Sequence, residues 1–481
     1  MYIIMKDTCD KNMSFAECEL EILRNAVDVA EKRLAIEKVR GPNIGEIISI
    51  VEKFLKNKKL ICYGGTAINN ILPKKDQFYN YDQEIPDYDF FSSNALEDAK
   101  ELADIYYKKG FTEVEAKAGV HFGTYKVFVD FIPVADVTQI SKPIFMNLKR
   151  DAIAIKQILY SPPDFLRMLM YLELSRPKGD VGRWEKVLKR LSLLNKNFPL
   201  DTKKCNVSNF QRVFEGKENH SHIHDIVKDT IIDHEYIFFG GYASYLYSRY
   251  MDNKIKKAFI KHPDFDVLSE NPEDAAQQIK SRLDNEGIKN VKVVKHDEIG
   301  DHSISLVPDH YEILVGKDSV AMIYKPMHCH SYNQIYVNNK PIKVATIDTM
   351  LSFYLAFSYA NKPYYDIERI LCMSKYLFDV QQRNRLAQKG VLKRFSIECY
   401  GKPLSLDEIR QAKTKKFKEL KNKQGTYEYE SWFLKYKPED NAARAKYKNK
   451  NKTRGKRPKS INTRKIRKLK KQVSNIFNIS I

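Results

Sequence analysis

Three aspartates and one glycine pair hold the chemistry that this chain could perform. Asp87 and Asp89 flank Tyr88 in IPDYDFFS, and Asp130 interrupts the apolar run from Lys126 to Pro133. In an extended IPDYDFFS, residues two apart face the same way, so both carboxylates converge while Tyr88 and Phe90 pack behind them. Like charges held that close repel, and an aspartate within an apolar strand loses its hydration. Both places therefore need a cation or a dense set of donors. A turn at Asp87–Asp89 and an edge or bulge position at Asp130 are the plainer alternatives. Upstream, Gly64 and Gly65 close the apolar run from Leu60, where glycine permits a tight turn and close backbone approach. Thr66 then begins a helix whose free N–H groups and positive dipole end can hold an anion, although many strand-to-helix turns use glycine for the turn alone.

The elements that must position these residues follow from apolar periodicity. Phe15, Leu20, Leu23, Val27 and Val29, and then Ile47, Ile48, Val51, Phe54 and Leu55, recur at helical spacing on either side of Gly41-Pro42-Asn43. From Leu60 short apolar runs alternate with helical stretches, the texture of an α/β or α+β domain, and a similar texture returns near Tyr236. The second stretch repeats the first. LICYGGTAINNIL is matched by YIFFGGYASYLY 176 residues later, and PDYDFFS by PDFDVLS after 177. DFLRMLMYLELSRP is matched by MLSFYLAFSYANKP after 186, and the helices that open at Asp180 and Asp366 keep that offset. Offsets drifting in one direction are what a duplicated domain with small insertions gives. The expected layout is a helical region 1–56, a first α+β domain 57–200, a second copy 201–390, and a Lys-rich region 391–481 with a basic tail from 441.

The order strand, Gly-Gly, helix, Asp-x-Asp and apolar–Asp–apolar resembles the DNA polymerase β-like nucleotidyltransferase superfamily. Within it, GGTAINNILP, DYDFFS, the ELSRP…GRWEKVLKRL segment and the tandem domains look closest to the poly(A) polymerase catalytic subunits of poxviruses and giant DNA viruses, over residues 45–385. The resemblance implies that the Gly-Gly-Thr turn holds a triphosphate. Gly64, Gly65, Thr66, Asn69, Arg183 and Lys186 would be nucleotide-binding. It further implies that Asp87, Asp89 and Asp130 are catalytic and bind two Mg²⁺ or Mn²⁺ ions, hard cations that suit oxygen ligands. Such ions activate a 3′-hydroxyl and neutralise charge on the reacting phosphates. The implied reaction is template-independent addition of adenylate from ATP to an RNA 3′ end. Other RNA nucleotidyl transfer (tRNA 3′-end addition, uridylylation, 2′-5′ oligoadenylate synthesis) and a non-catalytic RNA-binding or processivity protein are the alternatives. A homodimer or a separate processivity subunit is the partner that the resemblance suggests, and the viral factory in the cytoplasm or the virion the place.

The second copy serves as an internal control. It keeps Gly240, Gly241, Asp264 and Asp266, but Tyr242 replaces Thr66 with a ring expected near the phosphates, and Ile313 or Glu312 falls opposite Asp130. The expected reading is a degenerate copy used for packing or for holding RNA. Arg176, Lys178, Arg183 and Lys186 lie on or beside the helices after the first copy, the last two on one helical face. His220/His222/His224 and His328/His330 lack a second ligand pair at a metal-site spacing and read as loop histidines.

Composition sets the outer bounds. The chain has 481 residues, which suggests about three domains, and 43% hydrophobic content excludes wholesale disorder. Net charge is +21, and 15 cations with no acidic residue lie in 441–481, leaving +6 for the rest. That excess favours a polyanionic partner, and the tail reads as an RNA tether or a targeting signal. Seven cysteines without Cys-x-x-Cys spacing imply a reducing compartment and no disulfide framework. No run is long and apolar enough for a signal peptide or a membrane span.

Overall fold

In the computed structural model, residues 9–440 are described except 11, 83, 201–204, 206–219, 258, 260–262, 301–303 and 404. The basic tail from 441 lies outside the described residues. Two helices lead, α1 (Phe15–Val39) and α2 (Ile44–Lys58), separated at Asn43, whose φ of 81° is a left-handed conformation that asparagine tolerates. α2 buries Ile47, Val51, Phe54 and Leu55 on one face, as the apolar spacing predicts.

The first lobe runs β1 (Ile61–Tyr63), α3 (Gly64–Ile71), β2 (Tyr88–Ser92), α4 (Ala95–Lys108), β3 (Val114–Ala118), β4 (Thr124–Val129), β5 (Ile132–Gln139), α5 (Lys142–Asp151), β6 (Ile153–Ile155), β7 (Ile158–Tyr160), α6 (Pro163–Leu174) and α7 (Trp184–Asn197). The second runs α8 (His220–Asp233), β8 (Ile237–Phe238), α9 (Gly241–Ser248), α10 (Asn253–Lys256), β9 (Phe265–Leu268), α11 (Pro272–Asn285), β10 (Val291–His296), β11 (Ile299–Gly300), β12 (Ser305–Val307), β13 (His310–Val315), β14 (Asp318–Tyr324), β15 (His330–Val337), β16 (Lys340–Ala345), α12 (Ile347–Ala360) and α13 (Ile367–Arg383). The chain continues through β17 (Cys399–Tyr400), α14 (Leu406–Leu420), α15 (Tyr427–Phe433) and β18 (Lys435–Tyr436).

The fold is α+β, with two sheets of one topology. The first has the order β18-β3-β4-β5-β2-β1-β7-β6 and the second β10-β13-β14-β9-β8-β16-β15-β17. Setting aside the added edge strands β18 and β17, each strand of one sheet has a counterpart in the other with the same neighbours. The directions agree as well: β1 is antiparallel to β2 and β2 parallel to β5, just as β8 is antiparallel to β9 and β9 parallel to β14. The counterpart helices α6 and α12 pack on each other and join the lobes. Phe91 of the first sheet meets Phe165 of α6 edge-on at 5.8 Å, and Phe165 meets Tyr359 of α12 at 5.2 Å. Phe54, Phe90, Phe91 and Phe165 are at most 4% exposed, and each such burial stabilises by roughly 1.5–3 kcal/mol.

Three cysteine pairs are bonded, Cys9–Cys18, Cys205–Cys372 and Cys329–Cys399, while Cys62 is buried and free. This overturns the expectation of an unpaired set. Spacing along the chain carried that expectation, and spacing is silent about partners 70 or 167 residues apart. The inference of a reducing compartment loses its support with it.

Candidate active site

β1 delivers the chain to Gly64, which has φ +72° and opens α3. A Cβ here would stand 2.3 Å from Asp89 Oδ2, so only glycine leaves room for that carboxylate. At Gly65 a Cβ would meet Tyr79 Oη at 2.3 Å and Arg190 Nη1 at 2.9 Å. Thr66 Oγ1 donates to the Asp87 carbonyl oxygen at 2.6 Å, tying the Asp-x-Asp segment to the helix start.

Asp89 lies on β2 and Tyr88 and Phe90 beside it are buried, which leaves Asp89 on the open face with Asp87. Because β2 runs parallel to β5, Asp89 stands opposite Asp136 in the register. Asp136 is therefore the third carboxylate of the cluster. Its Oδ1 is buried without a hydrogen-bond partner, and its Oδ2 is ion-paired with Lys126, its register partner on β4. The cluster pays electrostatically for its crowding. Burial first, then Asp87 and Asp136, push Asp89 up to about 8 against the opposing pull of Lys126 and Arg183. Burial and Asp136 raise Asp87 to about 6.

Asp130 is not in this cluster. It forms with Phe131 the two-residue turn between β4 and β5, both residues having positive φ (48° and 64°), and it is solvent-exposed. The predicted trio of Asp87, Asp89 and Asp130 is thus corrected to Asp87, Asp89 and Asp136. KVFVDFIPVADVT reads as one apolar stretch with two aspartates, and neither aspartate is marked in the sequence as the inward one.

The donor set of three carboxylates, one with an orphaned buried oxygen, suits a hard divalent cation. Among the described residues no three acidic, histidine or cysteine side chains are drawn into a closed metal shell; Lys126 is the cation that pairs with Asp136.

Gly64, Gly65 and Thr66 sit where the sequence placed them, at the start of α3. Asn69 is fully buried and its Oδ1 accepts from the Phe78 and Tyr79 N–H groups, while its Nδ2 donates to Tyr81 Oη. Its amide holds the 77–81 loop. Arg183 pairs with Glu173 at 3.3 Å and lies near enough to Asp89 to stabilise its charge. Lys186 is exposed on α7, its pKa lowered by burial and by Arg190 and Arg183. Arg190, one turn further on, escaped sequence reasoning. It donates to Tyr79 Oη at 2.7 Å and lies over the Phe78 ring at 5.0 Å, directly above Gly65. The arginine was legible as the next member of the Arg183–Lys186 face at helical spacing.

The second lobe lacks the third acid. Met322 stands opposite Asp266 as Asp136 stands opposite Asp89. The predicted segment around Ile313 and Glu312 belongs to β13, the counterpart of β4, where Glu312 pairs with His296 at 2.9 Å. Tyr242 does not project toward a phosphate site but is buried against Phe238 and Phe265. Gly241, Asp264, Asp266 and Arg369, with Tyr354, Phe357 and Tyr365, line a small aromatic-walled cavity. Of the histidines read as loop residues, His328 lies in the loop between β14 and β15, whereas His220, His222 and His224 lie on α8 and His330 begins β15. Among the described residues no helix is long and apolar enough to cross a membrane.

Residues 49–180 match the family model described as poly(A) polymerase catalytic subunit. A putative poly(A) polymerase catalytic subunit of African swine fever virus is 36% identical over 188 residues, 37% of this chain and 39% of the relative. That of Acanthamoeba polyphaga mimivirus is 31% identical over 182 residues, 36% of this chain and 30% of the relative. The chain thus spans under two fifths of the curated relatives it matches. The Megavirus polyadenylate synthase crystal structure superposes with a TM-score of 0.74 at 19% identity, covering 95% of this chain and 93% of that one, a likeness of fold. The segment 49–180, which holds every carboxylate of the cluster, matches the poly(A) polymerase catalytic subunit model, and the fold along the chain is shared with a polyadenylate synthase.

Proposed function

We propose that this chain is a viral, template-independent poly(A) polymerase that transfers AMP from ATP to an RNA 3′ end and releases pyrophosphate. The observation that carries the reading is the meeting of Asp87, Asp89 and Asp136 beside the Gly64-Gly65 turn, within the segment that matches the family. These three carboxylates would hold two Mg²⁺ or Mn²⁺ ions, whose chemistry is to activate the 3′-hydroxyl and to neutralise charge on the α-phosphate and the leaving pyrophosphate.

The protein's own part is positioning. The N–H groups at the start of α3 can receive an anion, Arg190 supplies a cation over Gly65, and Lys186 supplies another near Arg190. Arg183 is close enough to favour the ionised form of Asp89. The Tyr79–Arg190 pair covers Gly65 and would contact a triphosphate laid on the turn. Thr66 fixes the Asp87 backbone, so that the carboxylates keep their places as charge changes nearby.

Purified full-length protein incubated with labelled RNA, each nucleoside triphosphate singly, and Mg²⁺ or Mn²⁺ tests this. RNA should lengthen with ATP and yield one pyrophosphate per residue added. Preferred incorporation of another nucleotide would move the assignment to a different RNA nucleotidyltransferase, and extension by none would leave an RNA-binding protein.

A further inference from the structure

Where the first lobe meets the second lies a group of basic and histidine side chains that the carboxylates do not explain. Arg176 follows α6. Its Nε donates to the Leu172 carbonyl at 3.1 Å, and its Nη1 lies 3.4 Å from His328 Nε2 of the second lobe. Among the described residues it forms no ion pair, although burial disfavours its charge. An arginine so placed lacks the anion that its planar fork is built to bind.

His328 and His330 deepen the deficit. His330 is 1% exposed and neither of its ring nitrogens has a hydrogen-bond partner; His328 Nδ1 is likewise buried and unpartnered. Burial first, and then the charge of Arg176, hold both rings neutral, so each carries one N–H donor. A buried donor without an acceptor is destabilising, and an arriving anion would relieve that cost.

The third side of the group is the β3–β4 loop. His121 there lies within the electrostatic reach of Arg176, Lys413, Arg183 and Lys126, all cations. The loop is pinned from outside by the hairpin α14–α15: Lys413 donates to the Gly119 carbonyl oxygen, and Phe122 packs on Trp432 at 4.2 Å. Glu173 pairs with Arg183 and also favours the charge of Arg176, and Asp136 pairs with Lys126, so four cations of this group, Arg176, Arg183, Lys126 and Lys413, face two carboxylates.

We infer that Arg176, His328 and His121, backed by Lys413 and His330, bind a phosphate of the RNA strand next to its reacting 3′ end. The inference rests on the poly(A) polymerase reading. A phosphate could also come from ATP, but the Gly65 side already offers α3, Lys186 and Arg190 to a triphosphate. Arg183 is felt by both Asp89 and Arg176, so this basic group lies near the carboxylates. A backbone phosphate held there would position the 3′-hydroxyl without reading a base.

The test uses the full chain with His121→Ala, Lys413→Ala and Arg176→Gln. Fluorescence anisotropy with a labelled oligoadenylate, without ATP, gives RNA affinity across a salt series; steady-state extension gives KM for ATP. RNA affinity should fall about five- to tenfold in each variant, with the salt slope shallower by about one for the two charge removals, and KM for ATP should stay within twofold. A raised KM for ATP with unchanged RNA affinity would assign the site to the nucleotide, and no change in either would remove it; both outcomes overturn the inference. Should Arg176→Gln lower the melting temperature at the lobe junction, the exposed His121 and the α14 residue Lys413 still decide. Failure of the wild type to add adenylate would strike the proposed function alone, because the anisotropy does not depend on catalysis.

Discussion

Lys126 and Asp136 face each other across the antiparallel pair β4–β5 and are joined by an ion pair at the rim of the acidic cluster. The ammonium is thus an internal counter-ion for carboxylates that divalent ions would otherwise neutralise. The pair is partly exposed, 35% and 14%, so its worth is at most about 1 kcal/mol. Lys126→Met should therefore bind Mn²⁺ more tightly, by up to about fivefold, while the metal-free protein melts about one degree lower. Mn²⁺ titration followed by electron paramagnetic resonance reads the first and calorimetry the second. Weaker Mn²⁺ binding in the variant would show that Lys126 supports the cations and does not compete with them.

Asp136 and Asp130 separate the observed cluster from the one read off the sequence. Asp136→Asn should cut extension by about a thousandfold, the scale on which members of a catalytic unit act. Asp130→Asn should stay within about twofold, because the residue is exposed and asparagine accepts the left-handed turn conformation. Primer-extension rates at saturating ATP settle the pair. Equal losses in both would return Asp130 to the site.

Much of the fold was legible because it is written in local pattern and repetition. The helix pair broken at Asn43, the strand–Gly-Gly–helix turn and the two copies all follow from periodicity and self-similarity. The third carboxylate was not legible, because it depends on which strand lies beside β2. Asp136 is 47 residues beyond Asp89 and meets it through a parallel pairing, while Asp130 is nearer in chain order but spent in a turn. A two-residue turn of Asp-Phe carries none of the glycine that usually marks one. Two of the disulfides, Cys205–Cys372 and Cys329–Cys399, escaped for the same reason, since their partners are set by packing between distant segments, while Cys9 and Cys18 stand nine residues apart with no spacing signature. Arg190 alone was within reach, one helical turn past Lys186.

The raised carboxylates give the metal-free protein a characteristic pH response. An aspartate whose pKa is higher folded than unfolded binds more protons in the folded state, so stability is full below the unfolded value near 4 and is lost as pH rises through the folded value. For Asp89 the loss extends to about pH 8, and for Asp87 to about pH 6. In EDTA the melting temperature should fall between pH 5 and pH 8.5, and Asp89→Asn should fall less over the same range. Mg²⁺ should restore stability most at the alkaline end, where the carboxylates are ionised. An equal pH slope in the wild type and Asp89→Asn would place the crowding elsewhere.

Met322 beside Asp266 leads to the last expectation, about the second lobe. With a thioether in the position that Asp136 holds in the first lobe, the pair Asp264 and Asp266 lacks the third oxygen donor, and the aromatic rings of Tyr354, Phe357 and Tyr365 close over what remains. Asp264→Asn combined with Asp266→Asn should leave the rate of adenylate addition within about threefold of wild type, provided the melting temperature is checked to show that the lobe still folds. Met322→Asp should not raise the rate either, because Lys126 and the open face beside β5 have no counterpart there: Glu312 occupies the position of Lys126 and would add a fourth negative charge. Loss of activity in the double variant comparable to that of Asp136→Asn, with folding intact, would reveal a second working centre and would require the two lobes to share the reaction.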